Sequence, residues 1–317
     1  MKNLYSKQSS FRQGAAKMSN RSVYNNHEDC ELSGNAAENS SAKSITIGFI
    51  GAGNMANSLI LGLLADGYDA HHIWATNTTS EQLDNLKNLN IHTSTDNRLL
   101  VKQVDIVVLA VKPQVLKQVT AGIADLIQEK KPLVISIAAA INLKTLQAYL
   151  QDNAIPIVRC MPNTPALLGC GATGLLANPH CSTLQKNTAE SLFCSVGIVV
   201  WLKTEKEIDS VAALSGSGPA YFFLFIDALQ KAGLELGLSK ETATLLSLQT
   251  ALGATRMAIE SKKSIDELKQ NVTSPGGTTQ AALNVFEQGH FSELIKKAML
   301  AAKQRAEDLA DQFQREA

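Results

Sequence analysis

Ile45-Thr-Ile-Gly-Phe-Ile-Gly51-Ala-Gly53-Asn-Met-Ala56 is the stretch on which the fold turns. Its β-branched and aromatic opening predicts a short strand, which passes without a linker into Gly51-x-Gly53-x-x-Ala56 and then into Met55–Asp66, apolar at helical spacing. A strand, a glycine turn and a helix in that order form a cradle for the pyrophosphate of a dinucleotide. Gly51 permits the tight turn, Gly53 lets the main chain approach the anion, and the small Ala56 lets the helix pack closely on the strand. The pattern carries weight only at the head of a βαβ series.

That series follows. Short β-branched runs at Ile73–Ala75, Ile106–Ala110, Leu133–Ile137, Ile155–Arg159, Gly174–Leu176 and Ile198–Trp201 alternate with helical stretches such as Ser80–Leu89 and Pro113–Gln128. Strands alternating with helices predict an α/β fold with a parallel, doubly wound sheet. After about residue 207 the strand signal stops, and Ala/Leu-rich segments punctuated at Ser215–Pro219 and Ser274–Gly277 predict an all-helical second half. The organisation expected is an N-terminal extension over 1–43, a dinucleotide-binding domain over 44–206 and a helical domain over 207–317. Residues 1–43 are polar and lack apolar periodicity, so disorder is expected there. Lys2, Lys7, Arg12, Lys17 and Arg21 with no acid among residues 1–21 resemble an organelle transit peptide, against the plainer reading of an idiosyncratic extension.

Composition narrows the functions. The 317 residues carry 29 Lys+Arg and 29 Asp+Glu, and this zero balance lacks the basic footprint of a nucleic-acid partner. Apolar runs such as Ala220–Ile226 stop at a charge, here Asp227, short of the roughly 20 residues that cross a bilayer. Five cysteines, Cys30, Cys160, Cys170, Cys181 and Cys194, form no C-x-x-C pair and fit mostly buried thiols in a reducing compartment. Neither a nucleic acid nor a membrane is expected as partner, and the cytoplasm is the expected location. No pair of the six histidines has metal-ligand spacing, so no metal is expected.

The second strand ends in Thr76-Asn77-Thr78-Thr79, where an NAD enzyme presents an acid to the ribose 2′-hydroxyl. Hydroxyls and an amide at that place suit a 2′-phosphate instead, so NADPH is the expected cofactor, with NADH as the alternative because no Arg follows. Ala110-Val111-Lys112-Pro113 closes another strand at its carboxyl end, where ligands bind in open α/β sheets. Lys112 there either meets the cofactor ribose, acts as an acid, or is a solvated strand-end lysine. Tyr221–Leu229 is apolar around nearly the whole helix circumference. It must be covered, either inside a helical core or across a subunit boundary.

Three further motifs sit at element junctions: Arg159-Cys-Met-Pro-Asn163-Thr164-Pro-Ala166, Leu214-Ser215-Gly-Ser217-Gly-Pro-Ala220, and Val272-Thr-Ser274-Pro-Gly276-Gly277-Thr278-Thr279. Together with Gly48–Ala56, Ala110–Pro113 and Ser136–Ala140 they resemble pyrroline-5-carboxylate reductase, from about Ile45 to the C-terminus. The resemblance implies hydride transfer from a nicotinamide to the C=N carbon of Δ1-pyrroline-5-carboxylate, giving L-proline, in intertwined dimers whose glycine loop completes the neighbour's site. By position it assigns Gly51, Ala52, Gly53, Asn54 and Met55 to the pyrophosphate, Thr76, Asn77 and Asn97 to the adenosine end, and Ala110, Val111, Lys112, Pro113 and Ala139 to the nicotinamide half. Val272, Ser274, Gly276, Gly277, Thr278 and Thr279 become the substrate loop, with Thr279 the catalytic candidate at the imine nitrogen. Ala140 departs from the family, which usually has Gly there.

The chemistry of the residues agrees with that reading. A protonated cyclic imine is already electrophilic, so orientation rather than a metal or a nucleophile carries the rate. A Pro-Gly-Gly turn leading into a helix offers N–H groups to a carboxylate, with Ser274 and Thr278 as helpers or simply as helix caps. Asn163 either lies beside the nicotinamide or belongs to a proline-fixed turn. Two rival readings fit less well. A 3-hydroxyacid dehydrogenase needs a Lys four residues after an Asn on the first interdomain helix, and Lys231 has no such partner. A non-catalytic NADP-binding scaffold would have no need of the S-P-G-G-T-T loop.

Overall fold

The computed structural model describes residues 45–317; the expectations placed on residues 1–43, and on His27 and Cys30 within them, lie outside the described residues. Eight strands form one sheet in the order β3-β2-β1-β4-β5-β6-β7-β8. They are β1 (Ile47–Ile50), β2 (Ile73–Thr76), β3 (His92–Ser94), β4 (Ile106–Leu109), β5 (Leu133–Ser136), β6 (Ile157–Met161), β7 (Gly171–Ala177) and β8 (Gly197–Trp201). Every pairing is parallel except β6 with β7, which is antiparallel. The parallel, doubly wound sheet is as expected, with one reversal, between β6 and β7. The β6–β7 link contains only the 3₁₀ turn Thr164–Leu168, too short for the crossover that a parallel neighbour requires. The sequence also hides β3, whose three residues are exposed or half-buried and so carry no apolar signal.

Helices cover both faces. Among them are α1 (Asn54–Ala65), α2 (Asn97–Gln103), α3 (Pro113–Ala121), α4 (Ala124–Lys130), α5 (Leu143–Leu150) and α6 (Thr183–Cys194). Strand residues alternate between the two cores as a period of two demands. Ile47, Phe49, Ile106 and Val108 join Leu59, Ile60 and Leu63 of α1 on one face. Ile50, Val107 and Leu109 join Leu100, Leu116 and Leu146 on the other. Because β1, β4 and β5 are buried along their whole length, they read as continuous apolar runs.

The C-terminal half continues with α7 (Glu205–Val211), a π-helical turn (Ala212–Gly216), α8 (Gly218–Glu235), α9 (Lys240–Glu260), α10 (Ile265–Asn271), α11 (Thr278–Gln288) and α12 (Phe291–Arg315). By contacts the described chain forms two compact units. One is Ile226–Val285; the other joins residues 45–225 to Phe286–Ala317. In the larger unit the last helix returns to the sheet. Phe313 enters the core that holds Leu146 and Tyr149, Tyr149 Oη donates to the Phe313 carbonyl at 3.4 Å, and Asn142 Nδ2 donates to Gln314 Oε1 at 3.2 Å. Phe225, Phe286 and Phe291 form a further aromatic cluster there, with ring centroids 5.4–6.4 Å apart.

The apolar helix α8 is not a core helix of the single chain. Phe222, Phe223 and Leu224 are 64%, 68% and 70% exposed. On α9, Leu245, Leu246, Leu248 and Leu252 are exposed as well, and among the described residues of the smaller unit only Gly233, Ala243 and Ser247 are buried. No residue of Tyr221–Leu229 is buried among the described residues. The helical run Glu205–Glu235 is long and apolar enough to cross a membrane by length and composition alone.

Candidate active site

The glycine turn has the form the sequence predicts. Gly51 takes φ +97°, donates its N–H to the Thr76 carbonyl at 2.9 Å, and lies so close to β4 that a Cβ would stand 2.7 Å from the Ala110 carbonyl oxygen. No residue but glycine fits. Gly53 is the N-cap of α1, in extended conformation, with no side chain capping the helix and no acid in its first turn. A Cβ on Gly53 would meet no atom within 4 Å, so the space before the helix is open. Uncapped first-turn N–H groups facing open space, with Asn54 exposed and Met55 half-buried beside them, fit a pyrophosphate. Ala52 and Ala56 are buried, and Ala56 lets α1 lie against the sheet.

At the adenosine end, Thr76 closes β2 and is fully buried, Asn77 is half-buried, and Asn97 begins α2 with Asp96 as its cap. Thr76 Oγ1 donates to Asn97 Oδ1 at 2.6 Å. Thr76 therefore reaches a ligand only through Asn97. On the other side of β1, Ala110 and Val111 are half-buried after β4, Pro113 is the first residue of α3, and Lys112 is exposed as its N-cap. Ala139 is exposed in the turn after β5, between buried Ala138 and Ala140. These positions share the carboxyl end of the sheet. Ala140 takes φ +61°, which supplies a conformational reason for the Gly that the resemblance leads one to expect there.

Asn163 is buried and occupied. Its Oδ1 accepts from the Ala172 N–H at 2.9 Å and its Nδ2 donates to the Ser215 carbonyl at 3.0 Å. It fastens the end of β6 to β7 and to the π-helical turn, where Ser215 Oγ in turn donates to the Val211 carbonyl at 3.2 Å. Sequence reasoning quoted Arg159 without giving it a role. It is 2% exposed, ion-paired with Glu205, and 3.7 Å from Asp209; Glu205 Oε1 also accepts the Leu143 N–H at 2.7 Å. Burial pushes the Asp209 carboxyl above its ordinary range, against the pull of Arg159. A buried arginine in a strand otherwise built of Ile, Val, Cys and Met signals such a cluster, because an unpaired charge there is prohibitive.

The glycine loop after α10 lies in the smaller unit. Gly277 donates to the Ser274 carbonyl at 2.9 Å, and Gly276, at φ +71°, donates to Gln280 Oε1 at 2.6 Å. Two loop N–H groups are thus already engaged, by a turn and by a glutamine that sequence reading passed over. What remains for an anion is the start of α11, where no acid stands in the first turn. Val272, Ser274 and Thr278 are exposed, and Thr279 is half-buried. Cys160 and Cys181 are buried free thiols whose pKa values burial raises, which makes them poor nucleophiles, while Cys170 is exposed. No metal-binding group of three or more ligands occurs among the described residues.

Comparison with known proteins fits this arrangement. The family model described as pyrroline-5-carboxylate reductase dimerisation matches residues 205–309, and one described as NADP oxidoreductase, coenzyme F420-dependent, matches residues 46–140. The Pseudomonas aeruginosa pyrroline-5-carboxylate reductase is 48% identical over 84% of this chain and 97% of its own. The solved structure of a pyrroline-5-carboxylate reductase from Coxiella burnetii superposes with a TM-score of 0.81 at 48% identity, covering 84% of this chain and 99% of that one. The Plasmodium falciparum pyrroline carboxylate reductase, solved with NADP bound, gives 0.76 at 31% identity over 85% and 100%. On this agreement of loop geometry, domain order and kinship, the chain belongs to the pyrroline-5-carboxylate reductase family.

Proposed function

We propose that the protein reduces Δ1-pyrroline-5-carboxylate to L-proline with NADPH as the preferred reductant, NADH being the alternative. The observation that carries this reading is that one chain keeps both halves of the apparatus. These are an uncapped, open glycine turn at the carboxyl edge of the sheet, and an exposed S-P-G-G-T-T loop opening a helix. When bound, the reduced nicotinamide supplies the hydride.

The protein's own work is then to hold two partners in register. Gly51 to Met55 take the pyrophosphate, Asn77 and Asn97 the adenosine end, and Ala110 to Pro113 with Ala139 flank the nicotinamide. Asn163 serves by fixing the turn nearby, through its bonds to Ala172 and Ser215. At the loop, the N–H groups that open α11 and the hydroxyls of Ser274 and Thr278 receive the substrate carboxylate, and Val272 offers an apolar wall. The Thr279 hydroxyl hydrogen-bonds the imine nitrogen, to position it or to relay its proton. Residues 207–317 act as the helical dimerisation and substrate domain, in which the loop completes the site of an interlocked neighbour; the exposed Phe222, Phe223 and Leu224 supply its apolar contact. The cytoplasm, rich in both nicotinamide cofactors, is the proposed location.

The test is steady-state consumption of NADPH. Pyrroline-5-carboxylate should support it, and 2- and 3-oxoacids should not. A folded, oligomeric preparation that ignores the imine but reduces an oxoacid would replace this reading with that of a hydroxyacid dehydrogenase.

A further inference from the structure

We infer that Thr76 is a positioning residue for the adenosine half of the cofactor, acting by locking the orientation of the Asn97 carboxamide. Thr76 has no exposed surface, so its hydroxyl touches no ligand. Its Oγ1 lies 2.6 Å from Asn97 Oδ1 and 3.5 Å from the Phe49 carbonyl. The first distance belongs to an O–H···O bond rather than to an amide N–H, whose contacts centre near about 2.9 Å, and the second is too long to compete. A threonine hydroxyl has one proton to give, so giving it to Asn97 fixes which end of the carboxamide turns inward. The oxygen is pinned toward the sheet. The Nδ2 group, with two donors, is left at the carboxyl end of β2, beside the turn where the Thr76 carbonyl holds the Gly51 N–H.

The sense of this orientation matters chemically. An ionised 2′-phosphate on the ribose presents acceptor oxygens, and a donor pair aimed at it is favourable. An acid at position 76 would accept rather than donate, turning the carboxamide and offering its oxygen to the ligand. The absence of an acid at the end of β2 thus has a second meaning: it removes repulsion, and it supplies the proton that sets Asn97. The inference rests on the dinucleotide reading of the glycine turn and deepens it.

Two changes separate the hydroxyl from the packing, since Thr76→Val keeps the shape and Thr76→Ser keeps the proton. Calorimetric titration of the full chain with adenosine 2′,5′-bisphosphate should show about a 3- to 10-fold weaker affinity in T76V, the worth of one hydrogen bond. T76S should stay within about twofold of the unmodified protein, and reduced nicotinamide mononucleotide should bind all three alike. On an Asn97→Ala background, T76V should cost nothing more. An undiminished affinity in T76V, an equal loss in T76S, or an undiminished T76V effect without Asn97 would overturn the inference while leaving the cofactor site intact. If the unmodified protein binds neither the bisphosphate nor NADPH, the dinucleotide reading falls and the inference with it.

Discussion

Single residues carry the conformational demands that hold this site open. Ala140 sits at φ +61°, where an L-residue pays about 1–2 kcal/mol, while burying its methyl returns at most about 0.8 kcal/mol. Ala140→Gly should therefore raise stability by up to about 1 kcal/mol, read as a higher urea midpoint at unchanged slope; a lower midpoint would mean that the methyl's packing outweighs the strain. Thr279 makes the complementary case. If its hydroxyl serves the imine nitrogen, Thr279→Val should lower kcat at least about tenfold with NADPH affinity preserved, whereas a rise in KM alone would assign it to binding. Both residues stand in motifs readable from the sequence. The clamp on Asn163 and the Gln280 bond to Gly276 are not readable, because each joins groups that only the folded chain brings within reach.

At the scale of the element, two glycines of one turn do different work. Gly51 is required by the fold: a Cβ would press on the Ala110 carbonyl and the backbone is left-handed. Gly53 has ordinary φ and empty space before it, so the fold does not need a glycine there. Gly51→Ala should lower the melting temperature and weaken NADPH together. Gly53→Val should leave the melting temperature nearly unchanged and weaken NADPH by more than tenfold, measured by fluorescence titration; equal affinities would show that no pyrophosphate lies against α1. The strands that form the middle of the sheet were legible because burial on both faces makes them continuous apolar runs. β3 was not, since an edge strand of three half-exposed residues has no such signature, and the reversal at β7 follows from the length of a connection that composition does not flag.

For the whole molecule, the decisive feature is the apolar surface of α8 and α9. Among the described residues Phe222, Phe223, Leu224, Leu245 and Leu246 are exposed, far more than scattered exposure accounts for. The family to which the chain belongs is defined in part by a dimerisation segment, and residues 205–309 match it. Phe223→Glu should shift the protein toward monomer in sedimentation velocity and reduce proline formation along with it. A chain that remains oligomeric at every concentration would place the interface elsewhere, and one that partitions into detergent would point to a lipid-facing helix. What residue order alone determined is the dinucleotide turn, the parallel centre of the sheet and the family-specific loop, because these depend on local backbone geometry and on periodicity, which nearest neighbours in the chain encode. Tertiary structure decided the rest. It returned α12 to the sheet, paired buried Arg159 with Glu205 and Asp209, turned the Asn97 amide and exposed the face of α8, since each is an outcome of contacts between residues far apart along the chain.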